Sequence, residues 1–306
     1  MNIAFVSGVK FGLDLLSDIL DKGWKVSVIF SYDDNKRKLY SDYESFDDIA
    51  KKHDIKHFKV NNINDDENIL QLQKICPDII LVMGWSQILK KDILSIPHLG
   101  VIGSHPTILP KYRGRAPIPW TILKGLKESG LTFFYMKEGV DDGDILSQRR
   151  FEITNDDDAT NVYRKITELG KIMLSENLSL LQNNTAKRIK QDESQFVEYW
   201  NKRTPEDGKI DWSKPAEEIQ KLVRASTHPY PGAFSFFDKS KIKIWKAKYL
   251  DDDVSDMGKI IEINKEGVRI ATGKGSIILQ MISIEDNEDT MATNIFTKDD
   301  VGKSLG

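Results

Sequence analysis

Cysteine is nearly missing from the chain. Cys76 is the single one in 306 residues, which excludes an intrachain disulfide framework and a Cys-built zinc site and fits a reducing compartment. Long apolar runs are missing as well. None approaches the roughly 18 residues of a membrane-spanning helix, and the opening MNIAFVSG has no charged segment ahead of an apolar one, as an export signal would. The expected location is therefore cytoplasmic, with no membrane partner. Charge of one sign is not in excess: the formal net charge is -3, so no global basic field collects nucleic acid. Of the five histidines, His53, His57, His98 and His228 lack metal-ligand spacing and read as structural or surface residues; no metal is expected. Common phosphate signatures are absent too. SGVKFG (7–12) is not G-x-G-x-x-G, and no Gly-Lys-Ser/Thr closes a P-loop.

What is present is an alternation. β-Branched and aromatic runs at Ile3–Val6, Trp24–Phe30 and HFKV (57–60), and the nearly continuous apolar PDIILVMGW (77–85), are separated by segments with apolar residues at helical spacing. Strands alternating with helices predict an α/β fold around a doubly wound, mostly parallel sheet. LTFFYMKEGVDDGDILSQRRFEI (131–153) reads as two strands around a tight acidic turn, and DDDATNVYRKITELGKIMLSENLSLL (156–181) as a capped helix closing the first domain. This sets an N-terminal domain at 1–185. A polar stretch without sustained period, 186–206, is expected to be a linker. Residues 207–306 hold one helix (214–226) and short strands at 241–249, 259–264, 268–272 and 276–283, which predict a small β-barrel-like domain.

Ligands of such sheets sit outside the carboxyl ends of the strands. GVIGSH delivers His105 there, with Pro106 biasing its backbone towards an extended conformation and ending regular pairing. Lys111, Arg113 and Arg115 follow as a candidate anion-binding rim, because guanidinium forks suit phosphate and carboxylate. Asp141, Asp142 and Asp144 lack the alternate-residue oxygens of a calcium loop. A carboxylate of this turn brought near His105 would orient the ring and hold its protonated form.

SHPTILPKYRGRAPIPWTILKG (104–125), GLTFFYMKEGVDDGDIL (130–146) and DWSKPAEEIQKLVRASTHPYPGAF (211–234) together resemble the folate-dependent formyltransferases. That superfamily includes methionyl-tRNA formyltransferase, glycinamide ribonucleotide formyltransferase and the nucleotide-sugar N-formyltransferases. The resemblance implies a Rossmann-like catalytic domain, an OB-like C-terminal domain and N10-formyltetrahydrofolate as co-substrate. It also implies an Asn-x-His pair with an Asp, which fall on His105 and Asp141. The Asn position is Gly103, so one expected oxyanion donor is absent; Ser104, Gln87, a backbone N–H or a water are the candidate replacements. Folate is expected along Met83, Gly84, Trp85, Gln87, Ile88 and Leu89, and along Gly139, Val140 and Asp144. Substrate is expected at Ser104, Lys111, Arg113 and Arg115.

The acceptor divides the superfamily. Residues 201–306 carry about 17 Lys and Arg against 18 Asp and Glu, too balanced to draw in tRNA, and the only basic triplet after the second strand, Lys36-Arg37-Lys38, is flanked by acids. GWSQIL, RGRAPIPW and WNKRTPEDGKIDW also look more like the sugar enzymes. The expected substrate is therefore a nucleotide-linked amino sugar. Methionyl-tRNA, and a catalytically impaired folate-binding homologue, stay open as alternatives. A homodimer also stays open, since sheet edges can pair with a second copy.

Overall fold

The computed structural model describes residues 1–306. In chain order the elements are β1 (Ile3–Val6), α1 (Lys10–Asp21), β2 (Val26–Tyr32), α2 (Asp47–Lys52), β3 (Lys56–Val60), α3 (Asp66–Ile75), β4 (Ile79–Val82), α4 (Lys91–Leu94), β5 (Val101–His105), β6 (Tyr112–Gly114), α5 (Pro117–Leu123), β7 (Glu128–Tyr135), β8 (Ile145–Glu152), α6 (Ala159–Gln182) and β9 (Glu198–Trp200). After these come α7 (Ala216–Ser226), β10 (Ala233–Phe237), β11 (Ser240–Leu250), β12 (Ile260–Asn264), β13 (Gly267–Ala271), β14 (Ser276–Ile284) and β15 (Thr290–Met291). The chain forms two compact units. One comprises Met1–Pro117, Glu128–Glu152 and Tyr163–Asn201; the other comprises Ile118–Lys127, Ile153–Val162 and Lys202–Gly306.

The first unit is built on a seven-stranded sheet in the order β3-β2-β1-β4-β5-β7-β8. The first five strands run parallel, and β7 and β8 are antiparallel. β1 and β4 are buried along their whole length, which is why their sequences are continuously apolar rather than alternating. α1 buries Phe11, Leu15, Leu16 and Ile19 on one stripe, the spacing that a 3.6-residue period needs to cover a sheet. Strand order reverses between β1 and β4, so a ligand crevice belongs at the carboxyl ends beside them. β5 delivers His105 to that end.

The second unit holds an antiparallel sheet in the order β10-β11-β14-β13-β12, with β15 on β14. Residues 302–306 join its two edges. At β12 the Gly302 N–H donates to the Ile260 carbonyl and the Ile260 N–H to the Lys303 carbonyl, both at 2.8 Å; at β10 the Gly306 N–H donates to the Phe236 carbonyl at 2.9 Å. The expected barrel-like closure is thus made by backbone bonds at the end of the chain. Its core includes Trp212, Val223, Ile244, Leu279, Phe296 and Leu305.

The domain limits need correction at 186–206. Residues as far as Asn201 belong to the first unit, and the segments Ile118–Lys127 and Ile153–Val162 belong to the second. The side chains of 186–201 are mostly exposed, which makes the sequence look like a linker, but its backbone is paired. Ile145 and Ile189 exchange N–H···O bonds at 2.7 and 3.0 Å, and β9 lies parallel to β6 with the Trp200 ring stacked on Tyr112 at 4.6 Å.

Leu305 is 3% exposed within the second core. Leu305→Ala is expected to destabilise that unit by about 2–5 kcal/mol in urea unfolding. An unchanged midpoint would mean that residues 302–306 do not close the sheet.

Candidate active site

His105 ends β5 and is 4% exposed. Its Nε2 lies 2.8 Å from the Tyr112 carbonyl oxygen, which can only accept, so Nε2 carries a proton and donates. Nδ1 then faces the Asp141 carboxylate, 3.5 Å from Oδ2. That same Oδ2 accepts the Gly114 N–H at 2.9 Å. Two residues of β6, Tyr112 and Gly114, therefore position the members of the pair. In a strand, backbone groups two residues apart point to one edge. Tyr112 and Gly114 turn that edge to His105 and Asp141, while Lys111 and Arg115 bond to the β9 segment through the Lys111 carbonyl and the Arg115 N–H. Gly114 has φ +107, and a Cβ there would stand 2.4 Å from the Trp200 carbonyl oxygen, so only glycine fits.

Asp141 lies in the turn between β7 and β8, at φ +52. Its carbonyl and that of Gly143 each accept a hydrogen bond from Gln191 Nε2 at 2.7 Å. Gln191 Oε1 in turn accepts from Arg113, at 2.7 Å from Nη2 and 3.2 Å from Nε. Arg113 also grips Glu193 through Nη2 at 2.5 Å and Nη1 at 3.2 Å, and this guanidinium holds the Glu193 carboxyl below the usual carboxylate range. Gln191 and Glu193 had no signal in the sequence beyond polarity. The run FVEYW (196–200) was a legible cue for β9 that the polar surroundings masked.

Several expected ligand residues need correction. Arg113 is 4% exposed with its donors on Gln191 and Glu193, so it supports the site from behind and its guanidinium is not presented to a ligand. Lys111 and Arg115 are half-buried and exposed respectively, and neither has a carboxylate partner. Met83 and Leu89 are 0% and 1% exposed, and Leu89 packs in the core, so their side chains cannot line a crevice. Gly84 and Ile88 are exposed, as are Gly139 and Val140 in the facing turn. Trp85 stacks on Tyr32 at 3.8 Å, and Tyr32 on Tyr40 at 4.2 Å, with Ser86 Oγ bonded to both phenols; burial pushes the Tyr32 phenol far up. The stack pins the loop after β2 against the strand ends. Asp144 pairs with Lys137 at 3.0 Å.

The two side chains expected to replace the donor missing at Gly103 face other partners. Gln87 accepts from the Ile63 N–H at 3.0 Å and donates to the Asn61 carbonyl at 2.8 Å. Ser104 points to the opposite face from His105 and accepts from the Gly84 N–H at 3.4 Å. The space beside Gly103 is filled: a Cβ there would meet Met136 Cγ at 2.9 Å and Phe134 at 3.1 Å. A thioether thus occupies the place next to His105 where an amide side chain would project.

Two of the remaining histidines, His57 and His228, are held by local partners. His57 bonds Ser31 Oγ at 2.7 Å and faces Asp47 at 3.2 Å, with its pKa lowered by burial; Ser31 is 2% exposed, which denies a substrate access to this Ser-His-Asp series. His228 stacks on Trp245 and pairs with Asp289 at 2.9 Å.

A family model described as Formyl transferase matches residues 1–178, and one described as Formyl transferase, C-terminal domain, matches 202–299. A methionyl-tRNA formyltransferase of Alkaliphilus oremlandii is 32% identical over 285 residues, 92% of this chain and 91% of the relative. A bifunctional polymyxin resistance protein ArnA of Wigglesworthia glossinidia brevipalpis is 38% identical over 251 residues, 81% of this chain and 38% of that longer protein. The solved structure of an N-formyltransferase from Helicobacter canadensis, with folinic acid and dTDP-3-aminofucose, shares the fold: its TM-score is 0.66 at 22% identity, covering 91% of this chain and 98% of that one.

Overpacking at position 103 is directly testable. Gly103→Asn is expected to destabilise the protein by about 1–3 kcal/mol in denaturant unfolding, and adding Met136→Ala to recover most of it. A stable single variant would show that Met136 leaves the space freely.

Proposed function

The chain belongs to the formyl transferase family, a folate-dependent group of one-carbon transferases, and we propose that it formylates the primary amine of a nucleotide-linked amino sugar. The co-substrate is N10-formyltetrahydrofolate. The observation that carries the mechanism is the His105–Asp141 pair under β6. A neutral amine attacks the formyl carbon, a new C–N bond forms and the carbonyl oxygen takes the charge. On collapse the bond from carbon to N10 breaks, the former amine has lost one proton and N10 has gained one. With Nε2–H tied to Tyr112, His105 takes the amine proton at Nδ1. The Asp141 carboxylate stabilises the imidazolium, and the proton then serves the departing N10. Exposed Ile88 and Val140 offer apolar surface to the folate at the two turns where it is expected.

Three features support the sugar acceptor. Lys111 and Arg115 flank β6 with no carboxylate partner, as a rim for a pyrophosphate requires. The charge of residues 201–306 is balanced, and the loop after β2 is pinned by aromatic stacking instead of offering a basic arm. The Helicobacter canadensis enzyme of this fold was solved with an amino sugar on dTDP. A second reading rests on the relatives that match along nearly their full length and are named methionyl-tRNA formyltransferases. Gly103 keeps a third, an impaired folate binder.

Formyl transfer from N10-formyltetrahydrofolate, offered dTDP-, UDP- and GDP-amino sugars beside methionyl-tRNA, separates these readings. Turnover on one nucleotide sugar is expected, falling by roughly 10²–10⁴ in His105→Ala. Lys111→Ala and Arg115→Ala are expected to raise KM for that sugar more than they lower kcat. Turnover on charged tRNA alone would overturn the sugar assignment, and folate binding without any transfer would favour the impaired homologue.

A further inference from the structure

We propose that Gln191 is a positioning residue for formyl transfer, clamping the Asp141 turn so that its carboxylate meets His105; the inference rests on the reading of those two as the reacting pair. Asp141 sits outside regular secondary structure and in a left-handed conformation that a non-glycine residue adopts only when its surroundings impose it. Something must hold it there. The Gly114 N–H fixes the carboxylate, but the backbone of the turn is fixed by Gln191, whose Nε2 reaches the carbonyls of both Asp141 and Gly143 at 2.7 Å.

The amide has only one workable orientation. Arg113 presents donors alone, so it must face Oε1, and the two carbonyls accept alone, so they must face Nε2. Both N–H groups and both acceptor sites of Gln191 are thereby used. One side chain from the segment after α6 ties β6, through Arg113, to the turn carrying Asp141. Glu193 holds Arg113 from its other side, keeping the guanidinium aimed at Gln191. Residues 187–201, part of the first unit, therefore complete the catalytic geometry.

The orientation supplies a discriminating variant. Gln191→Glu keeps an acceptor for Arg113 but sets a carboxylate oxygen against two carbonyls, whereas Gln191→Ala removes both contacts. If Gln191 only supported Arg113, the Glu variant would work as well as wild type. We expect both variants to lower kcat on the order of 10–100-fold, with a much smaller change in KM for N10-formyltetrahydrofolate. In an Asp141→Asn background, Gln191→Ala should add little, because the clamp acts through that carboxylate. Amide hydrogen exchange over 139–144 should quicken in both variants while the β1–β5 core keeps its protection, a readout independent of the acceptor. Wild-type kcat in Gln191→Glu, an equal fold-loss in both Asp141 backgrounds, or unchanged exchange over 139–144 would each overturn the inference. Wild-type kcat in Asp141→Asn alone would instead remove the catalytic reading beneath it.

Discussion

The site depends on one short strand edge. Tyr112 and Gly114 lie two residues apart in β6, and a strand turns the backbone groups of such residues to the same side. One offers a carbonyl to His105 and the other an amide to Asp141, so the spacing of imidazole and carboxylate is set by backbone geometry and not by flexible side chains. A three-residue strand does not stand alone. β9 pairs with its other edge, Trp200 stacks on Tyr112, and the glycine at 114 lets the two backbones approach. The Arg113 side chain, between the two site-facing backbones, reaches the Gln191 and Glu193 that follow α6.

Gly103 shows packing and chemistry in competition at one position. With Met136 in the adjoining space the face beside His105 is apolar and well filled, and no side-chain donor projects from position 103. Oxyanion stabilisation by a single donor is worth about 3–4 kcal/mol in other enzymes, so the charge developing on the formyl oxygen must be met from elsewhere in this fold. Ser104 points to the opposite face from His105, and Gln87 is turned to the Asn61 and Ile63 backbone.

Much of this was legible before the fold. Continuous apolar runs marked the buried parallel strands, Pro106 marked the end of β5 and the glycine-flanked acids marked the turn between β7 and β8, so His105 and Asp141 stand where those signals put them. What failed was whatever depends on where a charged side chain points. Arg113 and Arg115 are indistinguishable as letters, yet one is buried on a carboxylate and the other exposed. In the loop after β4, Leu89 turns inward and Ile88 outward without a pattern to announce it. The stretch 186–201 reads as a linker because its stabilising bonds are backbone bonds and one glutamine, neither of which leaves a hydrophobic period. The closing of the small barrel by residues 302–306 escaped for the same reason.

The central claim is that the β6 backbone fixes His105 in one tautomer with Nδ1 turned to Asp141. ¹⁵N NMR of the imidazole of His105, assigned by His105→Gln, tests it most directly. In the neutral ring the account predicts the proton on Nε2, bonded to the Tyr112 carbonyl, and an unprotonated Nδ1. A neutral ring protonated on Nδ1 would contradict it, because the bond to β6 could not then exist.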